Sequence, residues 1–321
     1  MIKELVKEKW SNVINSITIG ATKNDGGTRG SVVKIGGEST LPFIFSDGEM
    51  PHKPLVAFEI FDSQPQDWPE ELAGEYRDVY GDPVAWAQKA TEKYGAGLIC
   101  IRLAAAHPEQ GDYSPEKEAK IVKNILSKIK VPLIIMGCGD DAKDNLVLPL
   151  CAQAAKGEKC LFGSAVQDNY KTLTAACLAD GHSIIAESPI DINIAKQLNI
   201  LISEMGFPLD RIVINPTVGA LGYGLEYAYS IMERARLAAL SGDKLLAQPF
   251  ICFVGVESWR AKEAKASFEE FPQWGRQPER SIAWEVLTAG AFLQAGADIL
   301  VMRHPKAIKI INEHIDKLME R

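Results

Sequence analysis

From Leu55 onward the chain alternates short apolar runs with longer amphipathic stretches, and this rhythm limits the fold more than any other feature. Eight runs read as strands: Leu55–Phe61, Leu98–Ile101, Pro132–Met136, Cys160–Gly163, Ser183–Ala186, Arg211–Ile214, Phe250–Val254 and Asp298–Met302. They are almost continuously apolar, as parallel strands covered on both faces must be. Helical patterns separate them, with start signals at Gly81-Asp82-Pro83, Ser114-Pro115 and Ser188-Pro189-Ile190-Asp191 and stop signals at Gly181 and Gly296. Buried stripes are predicted at Ile121, Val122, Ile125 and Ile129, and at Ile194, Leu198, Leu201 and Ile202. After the third run, Pro149 is taken as the helix start in preference to Asp144. Repeated strand–helix–strand units imply right-handed crossovers, and eight of them close into a (β/α)8 TIM barrel. An open doubly wound sheet is the alternative, but the first strand lacks the G-x-G-x-x-G turn such folds often use.

Two alternating segments, Val13–Gly20 and Ser31–Gly36, precede the barrel and are joined by the turn-rich Asn24-Asp25-Gly26-Gly27-Thr28. They predict a β-hairpin that plugs the N-terminal end of the barrel. The expected organisation is an N-terminal hairpin extension over 1–50 and an α/β barrel over 51–321.

Charge and cysteine usage narrow the function. The net charge is −7 with no lysine or arginine block, which disfavours nucleic acid as a partner. No apolar run reaches the ~20 residues that cross a bilayer, and Met1–Val6 carries no signal-peptide core. A cytoplasmic protein is expected. The six cysteines form no C-x-x-C pair, so they read as reduced, mostly buried thiols, and no iron–sulfur cluster or zinc site is expected in this chain.

Barrel chemistry gathers at the C-terminal ends of the strands. That rim collects Asp62, Arg102, Gly137–Asp141, Ser164, Glu187-Ser188, Asn215–Gly224, Gly255–Ser258 and Arg303-His304. No strand end carries a Schiff-base lysine, and no glycine-rich phosphate turn follows the last two strands. Asp62, Asp140, Glu187, Glu257 and His304 show no metal-ligand spacing, and no metal site is expected. The loops after the third and sixth strands are rich in Gly, Asn, Thr and Ser, which lets backbone amides approach a large flat ligand; equally, the glycines serve tight turns. The candidate cofactor-binding residues are Gly137, Cys138, Gly139, Asp140, Ser188, Asn215, Thr217, Gly219 and Tyr223, with no catalytic residue assigned. The long stretch Glu257–Arg280, with Trp259, Arg260, Phe268, Phe271, Trp274 and Arg276, reads as a partner surface or a solvated helix on its own barrel.

Several segments together point to a family: Gly20–Arg29 (GATKNDGGTR), Leu41-Pro42-Phe43, Met136–Asp140 (MGCGD), Asn215–Gly219 (NPTVG) and Trp259–Glu263 (WRAKE). Over nearly its whole length the chain resembles the small subunit of the corrinoid iron–sulfur protein of the reductive acetyl-CoA (Wood–Ljungdahl) pathway. The archaeal counterpart is the delta subunit of the acetyl-CoA decarbonylase/synthase complex. The resemblance implies a corrinoid (cobamide) shared with a large subunit that carries a [4Fe–4S] cluster and the main corrinoid domain. It further implies a methyl group taken by cobalt from methyltetrahydrofolate, through a separate methyltransferase, and passed to acetyl-CoA synthase. This chain would cover the corrinoid without making or breaking bonds itself. Two other readings stand beside it: a free-standing pterin-dependent methyltransferase barrel using Asp62, Asp140 and Asn215, and a hydrolytic or lyase barrel with Glu187 or Glu257 as general base.

Overall fold

The computed structural model describes residues 7–320; Met1–Val6, where a signal-peptide core was sought, lie outside them. All eight expected strands form. With β1 and β2 assigned to the hairpin, they are β3 (Leu55–Phe61), β4 (Ile99–Arg102), β5 (Leu133–Met136), β6 (Leu161–Ala165), β7 (Ser183–Glu187), β8 (Ile212–Asn215), β9 (Phe250–Cys252) and β10 (Ala297–Met302). They close in sequence order, with β10 pairing β3 in parallel. Alternation then sorts the side chains. Ala57, Cys100, Ile134, Leu161, Ile185, Val213, Ile251 and Ile299 fill the interior. Val56, Phe58, Ile101, Ile135, Phe162, Ile184 and Leu300 face outward onto the helices.

Those helices are α1 (Glu70–Ala73), α2 (Pro83–Glu92), α3 (Pro115–Lys128), α4 (Asp141–Ala154), α5 (Tyr170–Asp180), α6 (Ile192–Glu204), α7 (Leu225–Leu240), α8 (Val254–Ser258), α9 (Lys262–Lys265), α10 (Gln277–Gln294) and α11 (Pro305–Met319). Asp82 caps α2 and Ser114 caps α3 as the sequence predicts, each accepting hydrogen bonds from first-turn amides. Two expectations are corrected. Helix α4 begins at Asp141, because the Asp140 carboxylate accepts from the Lys143 amide at 2.8 Å; Pro149 lies inside the helix. Helix α6 is capped by Asp191 and buries Ala195, Leu198, Asn199 and Ile202, whereas Ile194 and Leu201 are only half-buried.

The hairpin strands β1 (Ile17–Ile19) and β2 (Val33–Ile35) pair antiparallel. Ile17, Ile19 and Ile35 join the interior barrel cluster. The Asn15, Gly20 and Gly30 amides donate to the Ala247, Lys159 and Lys130 carbonyls, all in loops that enter barrel strands. The hairpin therefore closes the N-terminal end. The motif before β2 is a peg. The Arg29 side chain is fully buried, its Nε sits 2.8 Å from Glu158, and Nη1 donates to the Ile129 carbonyl at 2.9 Å. Gly27 is required there, since a Cβ would lie 2.3 Å from the Ala21 carbonyl oxygen.

Removing one partner of a buried, hydrogen-bonded ion pair leaves the other unsatisfied. Arg29→Met is expected to lower the unfolding free energy by about 3–5 kcal/mol. By contrast, Lys53→Ala, which breaks a pair with Asp316 in which both side chains are more than half exposed, is expected to cost about 0–1 kcal/mol. Urea denaturation of the two variants checks the difference, and equal losses would remove the peg from the account.

Candidate functional site

The uppermost interior layer of the barrel is polar. Glu59 follows Ala57 on β3, Arg102 follows Cys100 on β4, and Arg303 follows Val301 at the end of β10, so alternation turns all three inward on adjacent strands. Glu59 is fully buried and bridges both arginines, from Oε1 to Arg102 Nε at 2.9 Å and from Oε2 to Arg303 Nε at 2.6 Å. Burial alone would raise the Glu59 carboxyl, but the Arg303 and Arg102 charges outweigh it and hold it below the ordinary carboxylate value. On the opposite side Glu187 and Asn215 are register partners on β7 and β8. The Glu187 carboxylate accepts from the Ser164 hydroxyl and from Asn215 Nδ2 at 3.0 Å. The Asn215 side-chain oxygen accepts the Thr217 amide at 3.1 Å, and the Thr217 hydroxyl donates to the Ser188 carbonyl at 2.7 Å.

Above this layer lies a cavity of about 410 Å³. One wall is the loop Gly137–Gly139 after β5. The Asp144 carboxylate holds that loop, accepting the Cys138 amide at 2.8 Å and the Gly139 amide at 3.1 Å. Gly137 is needed because a Cβ would lie 2.3 Å from the same carboxylate. Ser164, Glu187, Asn215 and Thr217 form the facing wall, and Arg102, Phe253, Val256 and Arg260 also line the cavity, as do the carboxylates Asp141 and Glu257. Of the nine residues chosen from sequence, Gly137, Cys138, Gly139, Asn215 and Thr217 line this cavity.

The other four sit elsewhere. Asp140 caps α4. Ser188 is buried beneath the Thr217 turn, its hydroxyl without a partner among the described residues. Gly219 is packed so that a Cβ would meet the Tyr223 carbonyl oxygen at 2.3 Å. Tyr223 is half exposed and bonds Glu263 at 2.9 Å. Arg102, Ser164, Glu187 and Val256, expected at the rim, and Phe253, expected only within a strand, belong to the site as well. An acidic residue inside the apolar run LVAFEIF was the available signal for Glu59.

Other rim groups prove architectural. The Asp62 carboxylate caps the Ala105 amide at 2.9 Å. His304 caps α11, with Nδ1 accepting the Lys306 amide at 3.1 Å, and stacks on Trp259 at 5.8 Å; burial lowers its pKa to about 4, so the ring is neutral. Trp259 is itself buried, which removes it from the expected partner surface, while Phe268 remains exposed. Burial pushes the Cys138 thiol up to about 12, leaving it protonated. Among the described residues no three His, Cys, Asp or Glu side chains gather as a metal site.

These features define a class: a closed (β/α)8 barrel, plugged below by a hairpin, with a polar, arginine-bearing mouth above. A model of the family described as CO dehydrogenase/acetyl-CoA synthase delta subunit matches residues 16–314. The acetyl-CoA decarbonylase/synthase complex subunit delta of Archaeoglobus fulgidus is 36% identical over 320 residues, covering 98% of this chain and 70% of its own length. The subunit delta of Methanocaldococcus jannaschii is 36% identical over 307 residues, covering 95% and 74%. The chain belongs to this delta-subunit family, as its motifs had suggested. Among solved structures, the dihydropteroate synthase of Xanthomonas albilineans with 4-aminobenzoic acid gives a TM-score of 0.56 at 14% identity over 85% of this chain and 96% of that one. That of Coxiella burnetii, in complex with pteroic acid, gives 0.56 at 13% over 87% and 97%. At such identity the likeness is one of fold.

Next to the mouth, Glu118 is buried beside Asp62 and, when protonated, donates a hydrogen bond to that carboxylate. Burial first, and then the Asp62 charge, push it up to about 9. A carboxyl raised in the folded state gives stability that is complete below its unfolded value of about 4.3 and is lost as pH rises through the folded one. Glu118→Gln keeps a donor for Asp62 and removes the titration. Its thermal midpoint relative to the parent is expected to climb steadily from pH 5 to pH 9. A pH-independent difference would show that Glu118 titrates normally.

Proposed function

We propose that this chain is the small subunit of a corrinoid iron–sulfur methyl carrier, placing its barrel mouth over one side of a corrinoid held mainly by a larger, [4Fe–4S]-bearing partner. The observation that carries the reading is the mouth itself. The Gly137–Gly139 loop, its amides held by the Gly163 carbonyl and the Asp144 carboxylate, and the polar side chains of Asn215, Thr217 and Arg102 ring a cavity of about 410 Å³. Pockets that enclose a drug-sized ligand run to roughly 300–1,000 Å³. A corrin macrocycle with its amide arms is larger than such ligands, so this cavity fits part of its edge and not the whole group. The open Gly139, with no atom within 4 Å of a Cβ position, leaves room for that approach. The corrinoid, when bound, supplies the cobalt that carries the methyl group. This chain's residues seat its amide fringe, keep water from one side, and leave the reacting face to methyltetrahydrofolate methyltransferase and acetyl-CoA synthase in turn. A cytoplasmic setting suits such partners; no described helix is long and apolar enough to cross a membrane.

The size of the cavity also favours a second reading, a bicyclic pterin bound by Glu187 and Asn215 in a free-standing methyltransferase. The two separate by experiment. Expressed alone, the chain is expected to be colourless and iron-free. Co-expressed with its large partner, the pair is expected to show corrinoid absorption that falls several-fold in Asn215→Ala, without loss of the complex. Methyl transfer from methyltetrahydrofolate to free cobalamin by the isolated chain would overturn the proposal in favour of the pterin enzyme.

A further inference from the structure

A second cavity, of about 430 Å³, adjoins the first and shares Arg102, Cys138, Val256 and Arg260 with it. Its other lining residues include Arg303 and Lys265, and Asp67 is the single carboxylate among them. At the junction stand the two arginines held by Glu59. Each spends only its Nε on that carboxylate. Among the described residues neither Nη atom of either guanidinium has an acceptor, and none of these nitrogens is sealed from the cavity. The Arg303 side chain is only 8% exposed and that of Arg102 24%. Guanidinium N–H groups held open toward a cavity in this way offer an anion a bidentate, charge-assisted site.

The pair is also rigid. Arg303 lies over the Phe61 and Trp68 rings at 5.2 Å each. Its amide donates to Glu285 at 2.7 Å, and its carbonyl accepts from the Tyr76 hydroxyl. Arg102 lies over the Phe253 ring at 5.4 Å. Glu59 with two arginines carries one net positive charge, which matches a monoanion.

We infer that Arg102 and Arg303 form an oxyanion site for a singly charged phosphate diester of a small molecule, each guanidinium donating to one non-bridging oxygen. The sequence gives no glycine-rich phosphate turn after the last strands; here guanidinium forks take that part. The site does not depend on a corrinoid covering the mouth. A cobamide carries such a diester in its nucleotide loop, and a separate phosphate ester presents the same group.

The test is titration calorimetry of the full chain with dimethyl phosphate, with thermal midpoints measured in parallel. Saturable one-to-one binding is expected. It should weaken at least tenfold in both Arg102→Lys and Arg303→Lys, which keep charge and the Glu59 pair but lose the fork. Arg77→Lys, at an exposed position paired with Glu70 and outside both cavities, should bind like the parent. Absence of saturable binding, or parental affinity in both lysine variants, overturns the inference while leaving the corrinoid reading intact. In the assembled complex, loss of cobamide but not of cobinamide, which lacks the diester, in the same variants would identify the corrinoid as the source. Unchanged retention of both, with dimethyl phosphate still bound by the parent chain, would identify a separate ester.

Discussion

A closed ring of parallel strands fixes the direction of every side chain by alternation, so charge inside the ring must be satisfied within one layer or opened to a ligand. Here the lower layers are apolar, and the uppermost holds Glu59 between Arg102 and Arg303. That carboxylate is the keystone. Without it two withdrawn guanidiniums would repel each other across neighbouring strands; with it they stand a fixed distance apart, their forks facing the cavities. The Glu187–Asn215–Thr217 chain does the same on the far side, fixing the turn after β8 through the Ser188 carbonyl.

The two ends of the barrel divide the labour. Below, the hairpin seals the interior with Ile17, Ile19 and Ile35, and Arg29 pins it through Glu158 and the Ile129 carbonyl. A second buried group, Arg236 with Asp298 at 2.7 Å, ties α7 to the start of β10. A cavity of about 360 Å³ at that end lies where Asn12, Val13 and Asn15 meet the loops entering β8 and β9. Above, loops held by internal carboxylate caps such as Asp144 and Asp62 leave glycine backbone facing a cavity. Buried ion pairs brace both ends, and the proposed recognition site lies at the upper one.

Much of this was legible in sequence because buried parallel strands are apolar throughout, and eight such runs alternating with helices, without a G-x-G-x-x-G turn, favour a closed barrel over an open sheet. The hairpin was legible from period-two alternation. The loops were not, since glycine and asparagine mark turns without saying which turn meets a ligand. Thus Gly137 and Asn215 reach the mouth while Gly219 is used up in its own packing and Tyr223 turns outward to Glu263. Asp140 looked like a rim ligand and is a helix cap, the same fact that moves the start of α4 ahead of Pro149. The Glu59 bridge was hidden for a different reason. A lone charge inside an apolar strand announces a partner, but only closure of β10 onto β3 brings Arg303 to it from 244 residues away.

The proposed function turns the C-terminal mouth of the barrel toward the corrinoid-bearing partner. Hydrogen–deuterium exchange of this chain, free and assembled with that partner, tests it most directly. Slowed exchange concentrated in 137–141 and 215–222, with the hairpin unchanged, is the expected result. Protection confined to the hairpin end or to the outer faces of α10 and α11, with the mouth exchanging as freely as before, would contradict it.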